Sequence, residues 1–476
     1  MRSMLLRKIS IKELIFTKYK EKKMTCVTSS SSDIAAAATL LLEGKLVAFP
    51  TETVYGLGAN ALSEEASVRI YQVKGRPPTD PLICHVPDAT DILGRLWDIS
   101  TPENREVAEV GCALGAKFWP GPITFVGPAS SLVAPCVTGG CGCVGVRIPD
   151  HPVALEFLKA CGVPVAAPSA NTFGHVSPTC AAHVMSDLAP RDSSLTVIDG
   201  GSSSIGIEST VVKLTHNGSA VQLEILRRGK IGVTELQRAL KAVMREKSGD
   251  DNKQQFREAL VTVRDTRSKF LGNMSAPMDG PGQLLTHYSP NVPSFLLTRS
   301  SISLLVQSST STTSGTTSRS GSVVAGEVRY PLSRAVLLDF EHRIVNAMGS
   351  SAPSSTPTPV AVSPTASGCP FAAESDNNTT HSSAQGIVLA RMSLSDSGSL
   401  EEACQRVFEA LRWVETIAGA EVAIFPLLSE WVPRVEANEQ RGITEEAADA
   451  ANELLAAVED RLFRAASGVV ARVEIS

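Results

Sequence analysis

Cationic and hydroxyl side chains recur through the first half of the chain, each close to the end of a short apolar run. The set comprises Thr51, Lys74, Arg76, His85, Thr124, Arg147, Ser169, Asn171, Ser177, Ser209 and Arg227. Side chains of these types, together with backbone N–H groups, bind polyanions such as nucleotide phosphates. The set holds no pair of carboxylates and no Cys/His or Ser/His/Asp pattern. The sequence therefore predicts a nucleotide-using transferase that works by positioning and charge neutralisation, without a protein nucleophile.

Several members of this set have an ordinary structural interpretation when each is taken alone. Lys74 and Arg76 flank Gly75 at the end of a predicted helix, where cations complement the helix dipole. His85 ends an apolar run, where a core or edge histidine is common. Arg147 lies between apolar residues of a predicted strand, and arginine is rarely buried without a partner. The functional prediction therefore depends on the whole set.

The stretch LVAFPTETVYGLGANAL, residues 46–62, is interpreted as an apolar strand that runs into a loop rich in hydroxyl groups and glycine. It matches neither the phosphate-binding pattern Gly-x4-Gly-Lys-Ser/Thr nor the dinucleotide pattern Gly-x-Gly-x-x-Gly. We expect Gly56 and Gly58 to let the backbone of this loop pass close to a small ligand.

The elements that must position these residues are helices and strands without a strict βαβ repeat. The pattern starts near Asp33, a predicted N-cap of a helix that Gly44 closes, and it continues to about residue 245. It predicts an α/β domain with a twisted mixed sheet and flanking helices. Because α/β sheets bind ligands at strand ends and in the loops that follow, we expect the polar side chains to converge there.

Composition divides the chain into four predicted segments. They are a basic N-terminal extension (1–32) that is disordered or a targeting segment, the catalytic α/β domain (33–245), a linker (246–293) and a smaller Rossmann-like α/β domain (294–476). In the last segment, short apolar strands alternate with amphipathic helices. Ser/Thr-rich tracts near 300–322 and 349–383 interrupt it and are predicted to be disordered insertions, because their composition buries little apolar area.

Charge, apolar runs and cysteine usage limit the classes of protein. The net charge of -5 does not favour a nucleic-acid binder, although a local basic patch is compatible with it. No apolar run approaches the ~18 residues of a membrane span, so we expect a soluble protein without a membrane partner. Ten cysteines scattered through a long chain favour reduced thiols inside the cell. Cys136, Cys141 and Cys143 lack the paired CxxC spacing of a structural zinc site.

The first residues bear on the compartment. From Met1 to Met24 there are eight Lys or Arg residues against two glutamates, Glu13 and Glu21. A mitochondrial presequence is usually rich in arginine and poor in acids, whereas this segment is mostly lysine. We therefore expect a cytoplasmic protein, with mitochondrial targeting through the basic extension as the alternative.

Taken in order, the motifs FPTETVYGLGANA, IYQVKGRPPTDPLICHV, FWPGPITFV, GVRIPDHP, VAAPSANTFGHVSPT, GIESTVV and ILRRG resemble the YrdC-like domain of L-threonylcarbamoyl-AMP synthases. The resemblance covers about residues 33–243. The strip PGQLLTHYSP and the second domain, including the terminal EDRLFRAAS, resemble the two-domain branch of that family.

The resemblance implies an enzyme that joins L-threonine, bicarbonate and ATP into threonylcarbamoyl-AMP and releases pyrophosphate. The product would pass to a separate tRNA threonylcarbamoyl-transferase complex for t6A modification at position 37. Thr51, His85, Arg147 and Ser209 would form the threonine pocket. The ATP-binding residues would be Lys74, Arg76, Thr124, Ser169, Asn171, Ser177, Arg227 and Tyr288, with Mg2+ on the ATP phosphates as the cofactor.

The chain departs from the family pattern at a few positions. Gln283, Leu284 and Thr286 replace the usual residues of the connector, Phe173 follows SAN where a small residue is usual, and Arg228 replaces a proline. Two alternatives stay open. One is a module that binds double-stranded RNA or tRNA without turnover, and the other is a carbamoyl-transfer protein of hydrogenase maturation. The latter would carry CxxC pairs and an acylphosphatase module, and this sequence has neither.

Overall fold

A computed structural model of the chain describes residues 24–248, 261–263, 278–280, 287–310, 321–341, 343–344 and 388–475. Residues 1–23, the tract 349–383 and the connector positions Gln283, Leu284 and Thr286 lie outside the described residues, so the predictions made for them stay predictions.

The first domain is built on a mixed sheet of eleven strands. Their bounds are β1 Thr25–Val27, β2 Val47–Phe49, β3 Gly56–Asn60, β4 Ile83–His85, β5 Ile123–Pro128, β6 Cys143–Arg147, β7 Val165–Ala166, β8 Thr196–Ile198, β9 Thr210–His216, β10 Val221–Arg227 and β11 Val261–Val263. Their spatial order is β1-β8-β2-β3-β7-β4-β6-β5-β9-β10-β11. The sheet contains both parallel pairs, such as β4 with β6, and antiparallel pairs, such as β5 with β6. The predicted mixed α/β sheet is confirmed.

Helices flank this sheet, and local capping explains where several of them begin and end. Their bounds are α1 Ser31–Leu42, α2 Glu64–Lys74, α3 Pro102–Phe118, α4 Pro152–Cys161, α5 Ala181–Leu188 and α6 Val233–Ser248. The side chain of Ser63 accepts a hydrogen bond from the backbone of Ala66 at the start of α2. Gly75 ends α2 in the left-handed conformation, at a φ of 69°. This sharp stop places Lys74 and Arg76 at the edge of the sheet.

The structure corrects three details of the predicted domain. The cap of α1 is Ser30 and not Asp33, because the Ser30 hydroxyl accepts from the Asp33 amide while the Asp33 carboxylate binds Thr28. The sheet begins at Thr25, eight residues before the predicted boundary, because β1 pairs with β8. It also extends into the predicted linker, where β11 pairs with β10.

Residues 56–60 form strand β3, paired antiparallel with β2, and not the predicted loop, although Gly56 does line the cleft at the strand ends. At Gly58 a Cβ atom would lie 2.8 Å from Val165 Cγ1 and 3.1 Å from the Phe49 ring. The glycine is thus required by packing between strands and not by a passing ligand.

The second domain has a seven-stranded sheet with helices on both faces. Its elements are β12 Ser294–Leu297, α7 Arg299–Thr310, β13 Gly321–Ala325, β14 Val328–Pro331, β15 Ala335–Asp339, β16 Ala390–Ser393, α8 Leu400–Thr416, β17 Val422–Pro426, α9 Leu428–Trp431, α10 Glu445–Ala465 and β18 Val470–Ile475. The order is β14-β13-β18-β12-β17-β15-β16. Strands β18, β12, β17, β15 and β16 are mutually parallel, as a Rossmann-like domain requires, and β13 and β14 form an antiparallel edge.

The predicted disorder of the tract 300–322 is wrong for its described parts. Residues 300–310 belong to helix α7, and residues 321–322 open strand β13. Ile302 and Leu305, one helical turn apart, are buried against the sheet. This apolar burial outweighs the weak helix preference of the serines around them.

The two domains share an apolar interface. Val54, Val176 and Ile207 of the first domain are buried in one cluster with Phe408 of α8 and Val458 of α10. Among the described residues, no helix is both long and apolar enough to cross a membrane.

Candidate active site

A cleft of about 550 Å³, including space open to solvent, lies at the ends of the central strands of the first sheet. The predicted site residues that line it are Thr51, Arg76, His85, Arg147, Ser169, Ser209 and Arg227. The lining also includes Tyr55, Glu208 and His287, which the sequence analysis did not assign to the site. Thus residues from many separate motifs converge on one cavity, as the sequence predicted.

His85 and Arg147 show why this convergence follows from the sheet. Each is the last residue of its strand, and in the parallel pair β4–β6 they are direct register partners. Burial, followed by the nearby Arg147 charge, lowers the pKa of His85 to about 3, so its imidazole is neutral at physiological pH. Its Nδ1 has no hydrogen-bond partner among the described residues and is available to a ligand.

Arg147 is held by an acidic residue that the sequence analysis passed over. Its Nη2 lies 2.6 Å from Oε1 of Glu52, and its Nε donates to the carbonyl of Gly121 at 3.3 Å. Both side chains of the ion pair are buried. The guanidinium is therefore oriented at the cleft before any substrate binds.

Thr51 shapes the turn between β2 and β3. Its hydroxyl donates to the carbonyl of Val54 at 2.6 Å and accepts from the Val54 amide at 3.2 Å. The same hydroxyl lies 2.9 Å from that of Thr53. This small network presents two hydroxyl groups on one wall of the cleft.

A second network in the cleft lining centres on Ser209. The hydroxyls of Ser209 and Thr124 are 2.9 Å apart, and Arg227 donates from Nη2 to Ser209 Oγ at 3.1 Å and from Nε to the Ser209 carbonyl at 3.1 Å. The hydroxyl of Ser177 donates to Oε1 of Glu208 at 2.5 Å. Thr124 and Ser177 therefore support lining residues and do not line the cleft themselves.

Arg76 is held in place by Asp80 and by two backbone carbonyls. Its Nη2 lies 2.8 Å from Asp80 Oδ1 and donates to the Pro81 carbonyl at 2.8 Å, while its Nε donates to the Asp80 carbonyl at 3.0 Å. Burial raises the pKa of the Asp80 carboxyl, and Arg76 opposes that rise. The Asp80 contact, four residues away, holds the guanidinium at the cleft.

Lys74 and Asn171 are placed behind the lining, although both are predicted to bind ATP. The Lys74 ammonium donates to the carbonyls of Ser169 and Asn171 at 2.6 and 2.5 Å. Burial, then the charge of Arg76, holds the Lys74 pKa well below its usual value. The Asn171 amide donates to the carbonyls of Thr172 and His175. In this conformation both residues organise the loop that carries Ser169, and a contact with ATP stays a prediction.

The part of the strip PGQLLTHYSP that the structure describes, residues 287–290, lies beside the cleft. His287 lines the cavity, and its amide donates to the carbonyl of Arg464 at 3.4 Å. The amide of Ser289 donates to the Gly174 carbonyl at 2.9 Å. Tyr288 between them is fully buried at a φ of 61°, and its hydroxyl has no hydrogen-bond partner among the described residues. The strip thus joins α10 to the loop after SAN, beside the cleft.

Three guanidinium groups and one carboxylate, that of Glu208, line the cleft. Two of the guanidinium groups, those of Arg147 and Arg76, are paired with Glu52 and Asp80 outside the lining. Within the described part of the chain, no group of three His, Cys, Asp or Glu residues is arranged to hold a metal ion. The geometry therefore suits an anionic ligand.

Comparisons with known proteins point to one family. The family described as telomere recombination matches residues 39–229, and the threonylcarbamoyl-AMP synthase C-terminal domain matches residues 234–467. The threonylcarbamoyl-AMP synthase of Bacillus subtilis is 37% identical over 268 residues, which is 56% of this chain and 67% of the relative. That of Pyrococcus abyssi is 48% identical over 183 residues, 38% of this chain and 51% of the relative. That of Schizosaccharomyces pombe is 38% identical over 260 residues, 51% of this chain and 58% of the relative.

The chain thus spans between about half and two thirds of the length of these curated relatives. Among solved structures, P. abyssi Sua5 complexed with L-threonine matches with a TM-score of 0.60 and 27% identity, covering 93% of this chain and 97% of that one.

The mixed sheet, the cationic cleft and the second α/β domain together define a two-domain enzyme of the nucleotidyltransferase type. The chain belongs to the threonylcarbamoyl-AMP synthase family. The expected family and enzyme class are confirmed. The match of residues 234–467 to the C-terminal domain of the synthases disfavours the hydrogenase-maturation alternative.

Proposed function

We propose that this chain joins L-threonine, bicarbonate and ATP into threonylcarbamoyl-AMP with release of pyrophosphate. The observation that carries the proposal is that the register pair His85–Arg147 and the Ser209–Arg227 network line one cleft. The similarity of this chain to a synthase structure complexed with L-threonine supports threonine as the amino acid.

The threonine end of the site contains Arg147, Thr51 and Ser209. The planar guanidinium of Arg147 suits a carboxylate, which it can bind through two parallel N–H groups. His85 is neutral, so it supplies a hydrogen-bonding group beside Arg147 without adding a second charge. Thr51 and Ser209, which both line the cleft, would bind the polar groups of the amino acid.

The nucleotide end contains Arg76, Arg227 and Ser169, with Tyr288 beside it. Two buried guanidinium groups favour the triphosphate and the negative charge that develops on leaving pyrophosphate. The described residues offer no metal cage, so Mg2+ would arrive on the ATP phosphates and neutralise charge there.

The reaction needs no protein nucleophile. The threonine amine adds to CO2 derived from bicarbonate and loses a proton, which gives a carbamate. A carbamate oxygen then attacks the α-phosphorus of ATP, and the bond to pyrophosphate breaks. The protein aligns the two substrates, and the connector strip with His287 restricts water near the unstable carbamate.

Downstream, the product would pass to a tRNA threonylcarbamoyl-transferase complex for t6A formation at position 37. The reaction would take place in the cytoplasm, or in mitochondria if the basic extension directs import.

Labelled bicarbonate tests the chemistry. Purified protein with L-threonine, MgATP and 13C-bicarbonate is expected to form an AMP adduct of threonine that carries the label, as detected by mass spectrometry. An AMP adduct of any kind that forms equally well without threonine, or a threonine–AMP adduct that lacks the carbon label, would rule out this reaction.

A further inference from the structure

The single carboxylate in the cleft lining, Glu208, is paired with a cation from the other domain. Its Oε2 accepts hydrogen bonds from both Nε and Nη2 of Arg461 at 3.2 Å. Arg461 belongs to helix α10, lies 253 residues further along the chain, and its side chain is 0% exposed. The site of the first domain therefore contains a charge that the second domain compensates.

The pairing matters because of what the cleft is proposed to bind. ATP phosphates and the threonine carboxylate are anions, and a bare carboxylate on the same wall would repel them in a low-dielectric environment. A buried charge without a partner is also costly in itself. Glu208 thus requires a cation for the cleft to accept its ligands.

Among the described residues of the first domain, Arg227 acts on Glu208 through its charge but forms no hydrogen bond with it. Ser177 supplies a hydroxyl to its Oε1, and Arg227 donates its Nε and Nη2 to Ser209. The cation that forms hydrogen bonds with Glu208 is Arg461.

Arg461 is itself held in place on several sides. Its Nη1 donates to the carbonyl of Arg228 at 2.6 Å, and its guanidinium carbon lies 5.7 Å from the centre of the Tyr288 ring. One buried side chain therefore contacts the cleft wall and the connector strip together.

We propose that Arg461 is a positioning residue that completes the anion-binding cleft by neutralising Glu208. The second domain would then contribute the positive charge of Arg461 to the active site, in addition to its contacts with residues 287–290. The inference rests on the proposed function, because ATP and threonine supply the negative charge.

A double-mutant cycle separates this role from a merely structural one. Arg461→Gln is expected to weaken MgATP binding, measured by calorimetry, about tenfold or more, because it leaves Glu208 unpaired among anions. Adding Glu208→Gln removes the repulsion and is expected to restore most of the affinity. If the contact served only stability, the double variant would bind MgATP no better than Arg461→Gln.

Arg461→Lys keeps the charge but not the two-pronged geometry, so its affinity for MgATP should lie between those of the wild type and Arg461→Gln. Arg461→Lys also tests the role of this charge if Arg461→Gln fails to fold. Affinity as poor as that of Arg461→Gln, or worse, would overturn the charge argument.

Arg412→Gln is the matched control, because Arg412 also crosses the domain interface but pairs with Asp187. The effect of Arg412→Gln should not be reversed by Glu208→Gln, and reversal would overturn the inference.

Calorimetry measures MgATP binding without requiring turnover. A wild type that binds MgATP but releases no threonine-dependent pyrophosphate contradicts the proposed function alone, whereas MgATP affinity insensitive to Arg461→Gln contradicts the inference alone.

Discussion

Nη2 of Arg147 lies 2.6 Å from Oε1 of Glu52, with both side chains buried at the edge of the cleft. Removing one member of such a pair leaves a charge buried alone, which typically costs about 3–5 kcal/mol. The arginine proposed to bind the substrate carboxylate is thus already oriented by a carboxylate of the protein. Threonine would bind to a prepared guanidinium, which lowers the entropic cost of binding.

Arg147→Lys is expected to raise the KM for threonine by about tenfold or more and that for ATP by less than about threefold. Lysine keeps the charge, but it cannot present two parallel donors to one carboxylate. Steady-state pyrophosphate release, with each substrate varied in turn, measures both constants. Arg69→Lys is the control, because Arg69 pairs with Asp192 and does not line the cleft. An equal rise in both KM values would contradict the assignment of Arg147 to threonine.

Tyr288→Phe is expected to weaken ATP binding without weakening the fold. The buried hydroxyl has no hydrogen-bond partner among the described residues, so its removal should leave the melting temperature unchanged or raise it. If ATP supplies the missing partner, losing that bond should weaken ATP binding roughly two- to tenfold. Calorimetry and thermal unfolding measure the two effects.

Tyr330→Phe, in β14 of the second domain, is the control for removing a tyrosine hydroxyl. ATP affinity that is the same in Tyr288→Phe and in the wild type would argue against a nucleotide contact from Tyr288.

The interface between the domains should weaken as pH rises through about 9. Nδ1 of His175 lies 2.8 Å from Asp187, and its Nε2 lies 2.8 Å from Glu415 of helix α8. Burial opposes the charge, but hydrogen bonds to these carboxylates raise the pKa of His175 to about 9 from an ordinary value of 6.5. A raised folded-state pKa gives stability that is complete below pH 6.5 and lost as pH rises through about 9.

The melting temperature should therefore fall from pH 6.5 to 9, and the fall should be smaller in His175→Gln. Asp187 does not add to this window, since burial is outweighed by His175 and Arg412, which lower its pKa to about 2. Identical slopes for the wild type and His175→Gln would show that His175 carries no charge at the interface.

Gly206→Ala should loosen the contact between the domains. A Cβ atom there would lie 2.5 Å from Gln405 Cα and 2.6 Å from the Cys404 carbonyl oxygen, both backbone atoms of α8 that cannot rotate away. Gly218→Ala is a matched control, because both glycines have positive φ (81° and 90°) but nothing lies within 4 Å of a Cβ at Gly218.

Left-handed strain alone costs about 1–2 kcal/mol, so both variants should lose some stability, and Gly206→Ala should lose more. Limited proteolysis and thermal unfolding measure the difference. Equal losses would show that the close approach of α8 is not a constraint.

The sequence predicted the convergence of His85 and Arg147 because both end short apolar runs, and parallel strands bring such ends to one edge of a sheet. It could not predict Glu208–Arg461, since no periodicity relates residues 253 positions apart. Glu52 lay within the motif PTET, yet its pairing with Arg147 depends on which strands are neighbours.

Strand β3 was missed for a different reason. Glycines at 56 and 58 weaken any strand signal, but the backbone of β3 pairs with β2 and β7, and at position 58 Phe49 and Val165 occupy the space that a side chain would fill. Lys74 shows the opposite case, because a cation in a suitable motif is turned inward to two backbone carbonyls. The residue type predicted the charge of Lys74 but not the direction in which its side chain points.

Pyrophosphate release under saturating MgATP and bicarbonate, with threonine, serine, valine or no amino acid, decides whether this chain is a threonine-dependent synthase. We expect release that depends on threonine and is much lower with serine or valine, because Arg147, Thr51 and Ser209 act on one amino acid in one cleft. Release with threonine that does not exceed release without an amino acid would show that the chain does not catalyse this reaction.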